Sequence, residues 1–152
     1  MGRMNWSRIL FGGLLAGMVV NGGEYLLHRI VLQKDWSDLM QEFKVPPAPH
    51  TGEFAVLTVA GFLMGVVTVW LYAAIRPRLG AGPGTALFAG IAIWIPSYLL
   101  GLLAPLMLGL LPANIAFLSM VGGLVELLLG ALLGGLLYAD ADSALAPVPN
   151  AP

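Results

Sequence analysis

Cysteine is absent from the 152 residues, which excludes disulfides and thiolate metal centres. Charge is scarce: Asp, Glu, Lys and Arg make up 10% of the chain, where a soluble domain carries about 25%. Neither sign dominates, since the net charge is −1, so the basic face that nucleic acid requires is missing. The apolar residues 9–20 behind arginines could be a signal segment, but the "VVNGGEY" that follows has no small-residue cleavage pattern and apolar character resumes at Tyr25, so the segment is expected to be retained. Ser7, Ser37, Ser97, Ser119 and Ser143 lie in no context that activates a nucleophile. Enzymatic chemistry is therefore unsupported, and no cofactor is expected.

What remains is apolar and glycine-rich. Hydrophobic residues reach 59%, with 20 glycines and a mean hydropathy of +0.88. This is the composition of a membrane protein. A span needs roughly 20 apolar residues, and four windows qualify: 9–32, 54–75, 85–111 and 115–138. The expected fold is all-α: a four-helix transmembrane bundle forming one domain over 1–138, with a flexible tail at 139–152. Pro112, Ala113 and Asn114 make the last connection a tight hairpin, and Pro96 should kink the third span. In the 33–53 loop, Trp36, Leu39, Met40 and Phe43 fall on one helical face. A short amphipathic helix over 35–44, capped by Asp35 and stopped at Pro46, should lie on the outer leaflet, with a helix that caps the bundle as the rival reading. Arg3, Arg8, Arg76 and Arg78 outnumber Arg29, Lys34 and Lys44, which favours both termini in the cytoplasm.

Polar residues within the spans are not scattered. In "GMVVNGGEYLLHR", Asn21, Glu24 and His28 continue the row of Gly13 and Gly17, within roughly an 80° arc at 100° per residue. Comparable stripes are Thr58, Gly61, Gly65, Thr68 and Tyr72; Gly90, Trp94, Ser97 and Gly101; and Ser119, Gly122, Glu126, Gly130 and Gly134. Small and polar residues at this spacing form the seam of a bundle. Depth places Asn21 level with Glu126 and His28 level with Ser119, so an intramembrane cluster of Asn21, Glu24, His28, Glu126 and Ser119 is expected, with Asn21–Glu126 as its central pair. A central carboxylate costs about 2.5–3.5 kcal/mol to insert. The leucines from Leu124 to Leu137 return about 2.4–4.8 kcal/mol, so insertion is feasible.

Three functional readings follow. Intramembrane carboxylates point to proton or small-solute movement by way of Glu24 and Glu126, and structural glue is the competing role. Glu24, His28, His50 and Glu53 offer two imidazoles and two carboxylates of the kind zinc or iron accepts, although neither spacing is a metal signature. "RPRLGAGPGT" places Arg76 and Arg78 before a glycine-rich helix start, a candidate for lipid headgroup binding. It lacks the lysine of a nucleotide-binding loop. The class favoured overall is a non-enzymatic membrane component. Its expected partners are the lipid bilayer and a homo-oligomer or larger assembly.

The segments "NWSRILFGGLLAGMVVNGGEYLLHRIVL", "LYAAIRPRLGAGPGTALFAGIAIW" and "GGLVELLLGALLGGLLY" resemble a family of small bacterial four-span proteins to which no activity is assigned. The resemblance covers most of 4–138. Asn21, Glu24 and Glu126 fit that family's polar positions, whereas His28 and His50 do not. It implies four spans and a bacterial inner-membrane location, and no mechanism.

Overall fold

The structure, a computed structural model, describes residues 4–45 and 51–138, without the side chains of Thr51 and Glu53. Four helices are long and apolar enough to cross a membrane, and the described residues contain no strand. We number the helices α1 (Trp6–Val31), α2 (Gln33–Glu42), α3 (Thr51–Leu79), α4 (Pro83–Met107) and α5 (Ala113–Leu136). The tail expected at 139–152 lies outside the described residues.

Helix ends differ from the hydropathy windows for local reasons. The Asn5 side chain accepts from the Arg8 N–H at 3.2 Å, so α1 starts ahead of its apolar run, with an asparagine cap. Helix α3 continues through Pro77 to Leu79. Helix α4 stops at Met107 because the chain turns at Gly109, whose φ of +70° suits glycine. The expected hairpin between the last two spans is therefore built from 108–112, just ahead of α5.

Helix α1 packs chiefly on α3 and α5, and α4 chiefly on α5. Two rows of small residues divide the surface of α1. Gly13 and Gly17 lie against Val66 and Phe62 of α3, while Gly12 and Ala16 lie against Gly134 and Gly130 of α5. A Cβ on Gly65 would sit 2.7 Å from Gly17 Cα and 2.5 Å from Gly13 O. Only glycine allows backbones this close, which is how helices associate without a hydrophobic driving force. The outward faces are apolar: Phe11, Leu14, Met18, Val56, Leu57, Phe117 and Leu129 are all exposed, as lipid-facing positions must be. Where α1 begins and α5 ends, Arg8 donates to the Leu137 carbonyl at 3.4 Å. There Tyr72 meets Tyr138 edge-on at 6.0 Å.

The loop helix α2 forms, but neither its cap nor its resting place is the expected one. Leu32 occupies the N-cap position and contributes no side-chain bond. Asp35 instead accepts from Asn114 Nδ2 at 2.6 Å, tying α2 to the start of α5. Leu32, Trp36 and Leu39 pack with Leu102, Leu106, Leu111 and Ile115. The apolar face of α2 thus covers one end of the bundle, and only Phe43 of the expected stripe is largely exposed.

Candidate functional site

Two of the spanning helices contain an irregular turn. The last turn of α1, Leu27–Val31, is π-helical, and so is Ile95–Leu99 within α4. The second contains Pro96, which lacks an N–H and crowds the preceding turn. A wider turn absorbs that conflict. The inserted residue also rotates everything beyond it. Ser97, expected inside, is exposed and bonds back to the Ile93 carbonyl at 2.8 Å. Gly101 is exposed as well. Tyr98 takes the interior position, 8% exposed, with its ring against Gly123. Trp94, ahead of the turn, keeps its inward direction and donates to the Met120 carbonyl at 2.8 Å.

Tyr98 donates its hydroxyl proton to Glu24 Oε1. The other carboxylate oxygen, Oε2, lies 2.9 Å from His28 Nε2, one turn nearer α2. Beyond it, Trp36 Nε1–H donates to His28 Nδ1 at 2.8 Å, and the two rings meet edge-on at 5.6 Å. An indole N–H only donates, so Nδ1 must be the acceptor and the imidazole proton belongs to Nε2, facing Glu24. Trp36, His28, Glu24 and Tyr98 form one continuous hydrogen-bonded chain from the bundle end inward. Side chains of His28 and Glu24 remain 25% and 34% exposed, so the chain is not sealed along its length.

Glu126 lies near the middle of α5 and is only 6% exposed. Its carboxyl packs against Gly23, the neighbour of Glu24 in sequence. Its Oε2 is buried without a hydrogen-bond partner. Beyond Glu126, away from α2, the α1–α5 seam is Gly12, Ala16, Gly130 and Gly134, with no polar side chain among them.

The expected Asn21–Glu126 pair does not form. Asn21 is at the right depth but turns to α3, where Nδ2 donates to the Thr58 carbonyl at 3.2 Å and to the Gly17 carbonyl at 2.8 Å. The reason is angular. Asn21 continues the Gly13–Gly17 row that faces α3, whereas Gly12 and Ala16 face α5. Asn21 is a neighbour in depth of the carboxylates and a partner of neither. Ser119 is buried at 4% on the inward face of α5, outside the chain that Glu24 and His28 form.

For the metal reading, Glu24 and His28 are together, while His50 and the Glu53 side chain lie outside the described residues. Among the described residues no group of three or more His, Asp or Glu side chains is placed to hold a metal ion. At the other end, Arg76 lies over the Tyr138 ring at 5.4 Å and Arg78 is exposed.

Sequence reasoning missed Tyr98 and Trp36. Pro96 was the available signal for Tyr98, because a proline inside a span warns that positions beyond it change face. For Trp36 it was an aromatic ring bearing a donor, on the helix nearest His28. No family model, curated protein or solved structure matches the chain.

Proposed function

We propose that the protein is a non-enzymatic membrane component that exchanges protons at Glu24 and Glu126 from the α2 side of the bundle. The observation that carries this is the contrast between Asn21 and Glu126. A polar side chain kept only to join helices should have its buried hydrogen-bonding groups used, as the Asn21 amide nitrogen is on Thr58 and Gly17. A buried carboxylate oxygen with no partner is costly in an apolar interior, and an intramembrane carboxylate is a functional-site candidate by default. The chain from His28 through Glu24 supplies donors and acceptors in the order a proton relay needs. The glycine and alanine seam beyond Glu126 supports access from one side.

The bacterial inner membrane, with both termini cytoplasmic, fits the arginine bias and the family resemblance. In that orientation α2 and the mouth of the relay face the periplasm. The test is proton uptake by purified protein in proteoliposomes after an acid pulse, read with an external pH dye. Wild type should take up protons, with less uptake in Glu24→Gln and Glu126→Gln. Equal uptake by all three would assign the carboxylates a structural role. Sustained flux abolished by Glu126→Gln would make the protein a transporter rather than a one-sided proton binder.

A further inference from the structure

The row that carries Gly13, Gly17 and Asn21 along α3 runs on to Glu24 and His28, but the packing of α3 does not follow it. Gly13 meets Val66, Gly17 meets Phe62, and the Asn21 amide meets the Thr58 carbonyl. The same antiparallel register brings Glu24 level with Ala55. There the seam has ended: Phe54, Ala55, Val56 and Leu57 occupy a full helical turn, and all four are exposed. The Glu24 side chain, bonded to Tyr98, stays 34% exposed. Its position is about 10 Å short of the end of α1 at Val31, a depth that belongs to hydrocarbon.

This opening holds an acid and no cation to match it. None of the seven Lys and Arg residues lies within 9–28, 54–75, 83–107 or 113–136. Arg29 follows His28 in sequence and is exposed. On α2, Lys34 pairs with Asp38 at 2.6 Å and Asp35 accepts from Asn114. His28 brings no charge, since Nδ1 accepts from Trp36 and only Nε2 keeps a proton. From α4, Tyr98 donates to Glu24. From α5 comes a second acid, Glu126, whose carboxyl packs on Gly23 with Oε2 buried and unpartnered. Among the described side chains of α3, none at this level titrates. A carboxylate at membrane depth calls for a counter-charge, and each bonded oxygen of Glu24 retains a lone pair for one.

We propose that the opening beside Glu24 binds a lipophilic monovalent cation from the bilayer, with Glu24 as its counter-charge, and that this cation and the proton displace one another. The inference rests on the proton-exchange reading and names what the proton is exchanged for. Apolar substituents suit the place, because α3 presents only Phe54, Ala55, Val56 and Leu57 there. A hydrated metal ion does not suit it: among the described residues no group of three His, Asp or Glu side chains could hold one. The exchange balances, since one positive charge enters as one proton leaves a carboxyl for water.

Tetraphenylphosphonium and tetraphenylborate share a shape and differ in the sign of their charge. Equilibrium dialysis of the full chain in maltoside micelles, against protein-free micelles, reads saturable binding of each. Wild type should bind the phosphonium and not the borate. The phosphonium affinity should fall by up to about tenfold per pH unit on acidification, the slope of one displaced proton. Glu24→Asp keeps the charge but is too short for the bonds to Tyr98 and His28, whereas Glu24→Gln keeps the length and removes the charge. Binding should survive in Glu24→Asp and weaken at least about tenfold in Glu24→Gln, as when one member of a partly desolvated charge pair is removed. A purely structural Glu24 predicts the reverse order. Equal binding by wild type and Glu24→Gln, or of both ions by wild type, would overturn the cation site. The wild-type comparison of the two ions decides even where a variant fails to fold. Proton uptake without phosphonium binding would overturn the inference and leave the proton site standing. Binding indifferent to pH, in a chain that takes up no protons, would overturn the exchange together with the proton-exchange reading.

Discussion

Replacing Gly65 by alanine tests the packing on which the site depends. The added Cβ would lie 2.7 Å from Gly17 Cα and 2.5 Å from Gly13 O. Both atoms are backbone, so no side chain can swing aside. Ordinary contact requires α1 and α3 to separate by about 1 Å, since atoms of this kind rest near 3.5–4 Å apart. The Asn21–Thr58 bond, already 3.2 Å long, would then leave hydrogen-bonding range. Overpacking of this kind costs about 1–3 kcal/mol. A lost interhelical bond adds about 0.6 kcal/mol, and alanine's helix preference returns up to about 1 kcal/mol. The net expectation is a loss of about 1–3 kcal/mol. Gly22→Ala is the matched control, because a Cβ there meets nothing within 4 Å, and it should be neutral or stabilising. Denaturation in mixed micelles, followed by tryptophan fluorescence, compares the two. Gly65→Ala as stable as Gly22→Ala would refute the close α1–α3 seam.

The remaining predictions concern the site and its surroundings. Glu126→Gln should preserve folded yield, while Glu126→Lys should lose most of it, because the carboxyl sits against Gly23 with no space for a longer charged chain; size-exclusion profiles after extraction compare them. Tyr98→Phe should cost about 0.6–1.7 kcal/mol by removing one interhelical bond, whereas Ser97→Ala, on the exposed side of the π turn, should be near neutral by the same denaturation assay. Equal effects of the two would contradict the rotation assigned to that turn. Lys34→Gln should leave the thermal midpoint unchanged at neutral pH. The bond to Asp38 raises the Lys34 pKa, so any stability it adds is present below the usual lysine range and is lost as pH rises through the folded value. Because Lys34 is fully exposed, that loss should be hard to detect in a melting series extended to alkaline pH.

Much of this architecture was legible in the sequence because the membrane restricts the choices. Window length and composition suffice for four spans, since only hydrogen-bonded helices or closed barrels cross a bilayer. Depth was also readable, because rise per residue is fixed, and Asn21 and Glu126 do lie at similar levels. Azimuth was not. Residues that share an 80° arc on a wheel can serve two neighbours, and Asn21 went to α3 because its glycine row did. The π turns were the second obstacle: each inserts a residue that no regular wheel contains, which turned Ser97 out and Tyr98 in. For α2, an apolar stripe alone does not distinguish a lipid surface from a protein one. The Asp35–Asn114 bond and the leucines at the end of α4 decide that in favour of the protein.

The most direct measurement is an infrared difference titration of the reconstituted protein, following the carboxylic acid C=O band as pH is stepped. The account predicts a buried-carboxyl band that responds to pH in wild type and is missing in Glu126→Gln, and a separate Glu24 contribution that is shifted in Tyr98→Phe. A band identical in wild type and Glu126→Gln would contradict it, as would a spectrum in which no interior carboxyl changes protonation.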